Sequence, residues 1–266
     1  MTREQLINSI RTKQSYLCVG LDTAMDLIPS HLLQEPDPMF AFNKAIVDAT
    51  RAYCVAYKIN TAFYEAMGAK GWETMEKTVR YIGTDHFLIA DAKRGDIGNT
   101  SIQYARAFFE QLPFDAITVA PYMGKDSVAP FLSVASKWTI VLGLTSNPGA
   151  ADFEFLQTAE GPLYEQVLKK VSSWGDPSQL MFVVGATQAD AFKQIRKICP
   201  SHFFLVPGVG AQGGSLKEIS AQAMNEDVGL LVNVSRAIIY ASSEENFAAA
   251  AADVARAYQA EMASYL

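Results

Sequence analysis

The chain has 266 residues, of which 50% are hydrophobic and 19% charged, with a formal net charge of −6. This composition supports a sizeable core and excludes a disordered chain, and the acidic balance argues against broad binding to nucleic acid or to an anionic membrane. No apolar run approaches the roughly 18 residues of a membrane span, and the start, MTREQLINSIRTKQ, is polar and amphipathic rather than a signal peptide.

In chain order, the β-rich run YLCVGLD at 16–22 comes first, followed by DPMFAFNKAIVDATRAY at 37–53, a helix opened by an Asp cap and a proline in its first turn. CVAYKIN at 54–60 leads to a helical stretch over 61–82, and HFLIADAK at 86–93 to one over 100–112. AITVAP at 116–121 precedes 126–136, and WTIVLGLT at 138–145 precedes 161–174. MFVVGAT at 181–187, FFLVPGVG at 203–210 and GLLVNVSR at 229–236 precede helical stretches over 188–198, 215–224 and 244–264. Eight alternations with continuously apolar strands predict a parallel sheet covered by helices. They close most naturally into a single (β/α)8 barrel spanning 1–266, with an open doubly wound sheet as the alternative. No linker, low-complexity tract or charge block divides the chain. Cys18, Cys54 and Cys199 are odd in number and form no CxxC pair, so they read as reduced thiols of a cytoplasmic protein.

In such a barrel the chemistry belongs at the C-terminal ends of the strands. Asp22 ends the first run, Lys58 and Asn60 lie in the second, Asp91 and Lys93 end the third, Thr145 and Ser146 the fifth, and Ser235 and Arg236 the eighth. Taken alone, Lys58 reads as a snorkelling side chain and Asp22 as a turn cap. The segment DAKRGD at 91–96 is the sharpest signal: Asp91 and Lys93, two apart, share one side of a strand. Asp96 lies just beyond, so Lys93 is flanked by two carboxylates that favour its charged form. A surface ion-pair cluster is the competing account. PGVGAQGG at 207–214 suggests a phosphate cradle, with Arg236 as a bidentate partner. His86 and His202 precede their strands and fall on the opposite face, and His31 sits in a loop. No metal-ligand spacing or nucleotide-cofactor motif is present, so no cofactor and no metal are expected, and Lys93 is the best available proton donor.

On these residues the chain resembles the orotidine 5′-phosphate decarboxylase family over essentially its whole length. DAKRGDIGNTS at 91–101 is similar to the family's Asp-x-Lys-x-x-Asp signature, and PGVGAQGG to its phosphate and pyrimidine loop. The loops near 22–37 and 146–160 resemble the longer-chain branch, and 146–161 is a candidate lid. Ser235–Arg236 stands where many relatives carry Gly-Arg, and APYMGKD after the fourth run departs from the common patterns.

The resemblance implies a lyase of pyrimidine (UMP) biosynthesis that converts orotidine 5′-phosphate to UMP and CO2. It implies that Lys93 protonates C6, that Asp91 sits beside the substrate carboxylate, and that Asp96 and Thr100 reach across a homodimer interface into the neighbouring site. It further implies that Asp22 and Lys58 bind the ribose, that Ser146 reads the pyrimidine, that Pro207 lines the pocket, and that Gln212 and Arg236, with Ser235 beside them, hold the phosphate. A metal-dependent sugar-phosphate decarboxylase or aldolase of the same barrel group is the alternative. A catalytically silent nucleotide-binding barrel is a third reading, which the Lys93 array disfavours.

Overall fold

The computed structural model of the chain describes residues 1–187, 189–210 and 213–266. Eight parallel strands form a closed barrel: β1 (Leu17–Gly20), β2 (Ala56–Asn60), β3 (Phe87–Arg94), β4 (Ala116–Val119), β5 (Trp138–Leu144), β6 (Leu180–Val184), β7 (Phe203–Pro207) and β8 (Leu230–Val234). Each strand pairs with its sequence neighbours, and β1 closes on β8 through Cys18 opposite Asn233. Closure removes the open-sheet alternative. β1, β4, β6 and β8 are buried at every position, because one face meets the barrel interior and the other the helices. That is why the sequence shows continuous apolar runs rather than alternation.

The register sorts the interior into layers. Phe87, Trp138 and Phe203 meet edge-on at the N-terminal end, with ring centroids 5.7 and 6.3 Å apart. Toward the other end the inward positions become polar: Lys58 on β2 is followed by Asn60 opposite Asp91 on β3. The same interior thus changes from aromatic packing to charge along its axis.

The helical stretches differ from the sequence expectation in several places. A helix over Arg3–Lys13 precedes β1, opened by a capping box between Thr2 and Gln5, and it buries Leu6 and Ile10. The stretch 61–82 is two helices, Thr61–Glu65 and Ala69–Ile82, broken at Gly68, whose φ is +64°. After β8, a short helix over Arg236–Ile239 comes before the long Phe247–Ala263 helix. The candidate lid contains a short helix, Ala150–Phe153, and a two-stranded hairpin pairing Gln157–Thr158 with Gly161–Pro162. Among the described residues, no helix is long and apolar enough to cross a membrane.

Candidate active site

The polar ends of β1, β2 and β3 converge. Lys58 reaches up the barrel from β2, opposite Gly20 of β1. A Cβ at Gly20 would lie 2.7 Å from Cβ of Ser235, so a glycine is what lets β1 pass that close to the end of β8. Lys58 Nζ donates to Asp22 Oδ1 at 3.0 Å and to Asp91 Oδ2 at 3.1 Å. Asp91 Oδ1 accepts from Lys93 Nζ at 2.6 Å and from the Thr118 hydroxyl at 3.0 Å. The result is a chain of alternating charge, Asp22–Lys58–Asp91–Lys93, set at the mouth of an apolar barrel.

Burial and charge compete in this array, and charge prevails. Lys58 is 3% exposed. Burial works against its positive charge, but Asp22 and Asp91 overcome that and hold its pKa above the ordinary lysine value. Burial likewise opposes ionisation of Asp91, yet the ammonium groups of Lys58 and then Lys93 hold its carboxyl well below the usual range. Neither group is a snorkelling side chain or a member of a solvated surface cluster, as each taken alone could have been. Cys18, below Lys58, is fully buried, and desolvation pushes its thiol upward, so it stays neutral.

Lys93 is different in kind. Its side chain is half exposed, and its backbone is left-handed, with φ at +47°. That conformation costs a residue with a Cβ about 1–2 kcal/mol. It arises in a bulge: Ala90 pairs with Ile117 and Arg94 with Val119, so three residues of β3 stand opposite Thr118 alone. Asp91 and Lys93 therefore meet through a bulge, not through the simple pleat that their spacing suggests. The next residue, Arg94, is anchored by an ion pair to Glu65 and lies over the Tyr104 and Phe108 rings at 5.3 and 5.4 Å.

Asp96 departs from the sequence reading within the chain. It forms no ion pair with Lys93; its Oδ1 accepts from the Ile97 N–H at 2.7 Å, and its backbone N–H donates to Ser101 at 3.2 Å. The turn into the Gly98–Arg106 helix carries Asp96 away from the bulge, so the second carboxylate of the array is Asp22, brought in by Lys58. Thr100 lies exposed on that helix.

Asp22, Lys58, Asp91, Pro207, Ser235 and Arg236 line one cavity, together with Asn60, Gly208, Val209 and Asn233. Gly208 and Gly210, with φ of +99° and +74°, turn the chain sharply after β7. Arg236 opens the short helix after β8 with its side chain exposed. Ser235 Oγ donates to the Gly20 carbonyl at 3.1 Å, tying β8 to β1. Ser146 borders the end of β6, where a Cβ on Gly185 would lie 2.7 Å from its backbone nitrogen. Gln212 lies outside the described residues. Among the described residues, no group of three His, Cys, Asp or Glu side chains is placed to hold a metal ion.

Sequence reasoning placed Asn60 at the mouth but missed Thr118 and Asn233 as site residues. The available signal was a single polar residue inside an apolar run, as in AITVAP and GLLVNVSR. Its direction, inward or outward, depends on register.

A family model described as "Orotidine 5'-phosphate decarboxylase / HUMPS family" matches residues 15–252. The chain belongs to this family. It is 60% identical, over its whole length and 98% of the relative, to an orotidine 5′-phosphate decarboxylase of Bacteroides fragilis. Among solved structures, the OMP decarboxylase of Leishmania donovani superposes with a TM-score of 0.85 at 35% identity, over 98% of this chain and 99% of that one. The UMP synthase of the same organism superposes with a TM-score of 0.83 at 37% identity, over 96% of this chain but only 56% of that longer one. In DAKRGD, Asp91 to Arg94 form the bulged end of β3, and Gly95 and Asp96 begin the turn that follows it.

Proposed function

We infer that the chain decarboxylates orotidine 5′-phosphate to UMP and CO2, the activity named for the relatives that match it end to end. The observation that carries this reading is the alternation of Lys58, Asp91 and Lys93 at the barrel mouth, with Lys58 and Asp91 lining the same cavity as Arg236. An array of fixed charges suits a reaction in which negative charge develops at one carbon with no adjacent carbonyl to take it up.

In this mechanism the bond from C6 to the carboxylate breaks and its electron pair stays on C6. The Lys93 ammonium stabilises that charge and then transfers a proton to C6, leaving UMP, CO2 and a neutral amine that regains its proton from solvent. Asp91 keeps Lys93 in place and sets a negative charge beside the substrate carboxylate. Asp22 and Lys58 bind the ribose hydroxyls, Ser146 the pyrimidine, and Pro207 lines the ring. Arg236, Ser235 and Gln212 hold the phosphate, whose binding energy fixes the substrate at the charge array. The chain works as a homodimer in which Asp96 and Thr100 complete the neighbouring site. Ile97 and Ile102, both exposed beside them, are the apolar part of that contact. The cytoplasm is its compartment, where the buried, unpaired Cys18, Cys54 and Cys199 stay reduced.

The test is conversion of orotidylate by the purified chain, followed by ultraviolet absorbance with EDTA present. Rapid formation of UMP supports the reading. A folded protein that converts nothing, or that stops on chelation, overturns it in favour of a metal-dependent sugar-phosphate reaction.

A further inference from the structure

We propose that Thr118 is the positioning residue of the charge array, its one hydroxyl fixing both the backbone of Lys93 and the carboxylate of Asp91. The inference rests on the decarboxylation proposed above.

Thr118 stands on β4 opposite the β3 bulge, where the ladder jumps from Ala90–Ile117 to Arg94–Val119. In a regular parallel ladder the Lys93 N–H would donate to a backbone carbonyl of the neighbouring strand. Here it donates to Thr118 Oγ1 at 2.9 Å. The same hydroxyl then donates its own hydrogen to Asp91 Oδ1 at 3.0 Å. A hydroxyl is suited to this position because it accepts and donates at once. A partly buried backbone N–H left without a partner would be unfavourable, and the Thr118 hydroxyl supplies that partner while Lys93 holds its left-handed φ of +47° inside the strand.

The second bond acts on the carboxylate. With Thr118 and Lys93 both on Oδ1 and Lys58 on Oδ2, the plane of Asp91 is held at three points. Rotation of that carboxylate would exchange the oxygens facing the two lysines and move the Lys93 ammonium with them. Thr118 is itself fully buried, so water does not replace its hydroxyl. Val119 and Ile117, its apolar neighbours, are also buried and offer no hydroxyl in its place.

The experiment compares Thr118→Val, Thr118→Ala and Thr118→Ser with the wild-type chain in the orotidylate assay, alongside thermal denaturation. Val keeps the volume and removes both hydrogen bonds; Ser keeps both and removes a methyl group. Val and Ala are expected to lower kcat by about 10²-fold, the scale of an ångström-level misplacement, while KM changes by less than about threefold. Ser is expected to recover most of that loss, whatever its melting temperature. The proposal is overturned if Val turns over at the wild-type rate, or if Ser loses as much kcat as Ala, which would make the role one of packing. If Val does not fold, the Ala and Ser pair still decides. A wild-type chain that converts no orotidylate overturns the function and this inference together, whereas an active wild type beside an equally active Val variant overturns only this one.

Discussion

Lys58 Nζ lies 3.1 Å from Asp91 Oδ2, across the pairing of β2 with β3 and almost entirely out of water. This bond joins two ion pairs, Asp22–Lys58 and Asp91–Lys93, into one continuous array. Removing one partner of a buried pair leaves the other uncompensated, which is more costly than removing both.

Lys58→Met should therefore destabilise the fold by about 3–5 kcal/mol, by leaving Asp22 and Asp91 without their shared cation. Adding Asp91→Asn should return part of that stability but none of the activity. Thermal denaturation of the single and double variants, set beside turnover, measures both. An additive double variant would mean that the pair is not coupled.

Lys93→Ala and Lys93→Gly should both abolish turnover while leaving the fold intact, because the side chain is half exposed. The two should differ in stability. Glycine adopts the left-handed backbone without strain, so Lys93→Gly should exceed Lys93→Ala by about 1 kcal/mol in unfolding free energy. Equal stabilities would argue that the bulge relaxes in the alanine variant.

Arg236→Ala should weaken substrate binding without affecting folding, since the side chain is exposed at the cavity rim. Loss of a charge-assisted contact to phosphate costs about 1.5–3 kcal/mol, roughly a tenfold to hundredfold rise in KM. Unchanged steady-state kinetics would remove Arg236 from the phosphate site.

Mixing Lys93→Ala and Asp96→Ala subunits should restore activity if sites are shared, because one hybrid site then has both groups intact. Within its own chain Asp96 makes no bond to Lys93, so a catalytic effect of Asp96 has to be exerted elsewhere. Verified subunit exchange without recovery would count against sharing.

Acid should destabilise the fold from the end of the barrel remote from the chemistry. His86 and His202 are both buried, and desolvation, aided by Lys13 at the first and Arg196 at the second, lowers each to about 4 from 6.5. The unfolded chain takes up these protons first as pH falls below 6.5. Each histidine should then subtract about 1.4 kcal/mol of stability per pH unit down to about pH 4, where the native state protonates too. Asp91 acts lower: its depressed pKa contributes stability above the ordinary carboxylate value, which is lost as pH falls below it. Both ring nitrogens of His202 lack partners, so His202→Leu should flatten the acid limb by one proton's slope in melting experiments between pH 7 and 4.5. An unchanged slope would mean that His202 is protonated in the native state.

Six of the eight strands fall within the apolar runs read from the sequence and the other two, Phe87–Arg94 and Leu180–Val184, overrun theirs by one residue, since a strand buried on both faces is apolar along most of its length. The same strong periodicity marks most of the covering helices. The Arg3–Lys13 helix is faint in the sequence because its polar face dominates a stretch with only two buried residues, Leu6 and Ile10. The break at Gly68 does not show in the apolar spacing, which continues across it; the bend uses the positive φ of Gly68 and brings Gly71 so close to the Tyr64 carbonyl that a Cβ there would not fit.

At the site, the sequence by itself determined which groups the chemistry could draw on: Asp22, Asp91, Lys93 and Arg236 stand in or just beyond the C-terminal halves of their strands, and Lys58 is the one charge inside the apolar run of β2. What only the tertiary structure decided is how they pair. Lys58 bridges Asp22 to Asp91, Asp96 turns away from Lys93, and Thr118 supplies the hydroxyl at the bulge. Local spacing does not carry the Lys58 and Thr118 pairings, because they depend on the register between strands some 25 to 36 positions apart in the chain. Register is set by the closure of the whole barrel, through packing spread over all eight strands.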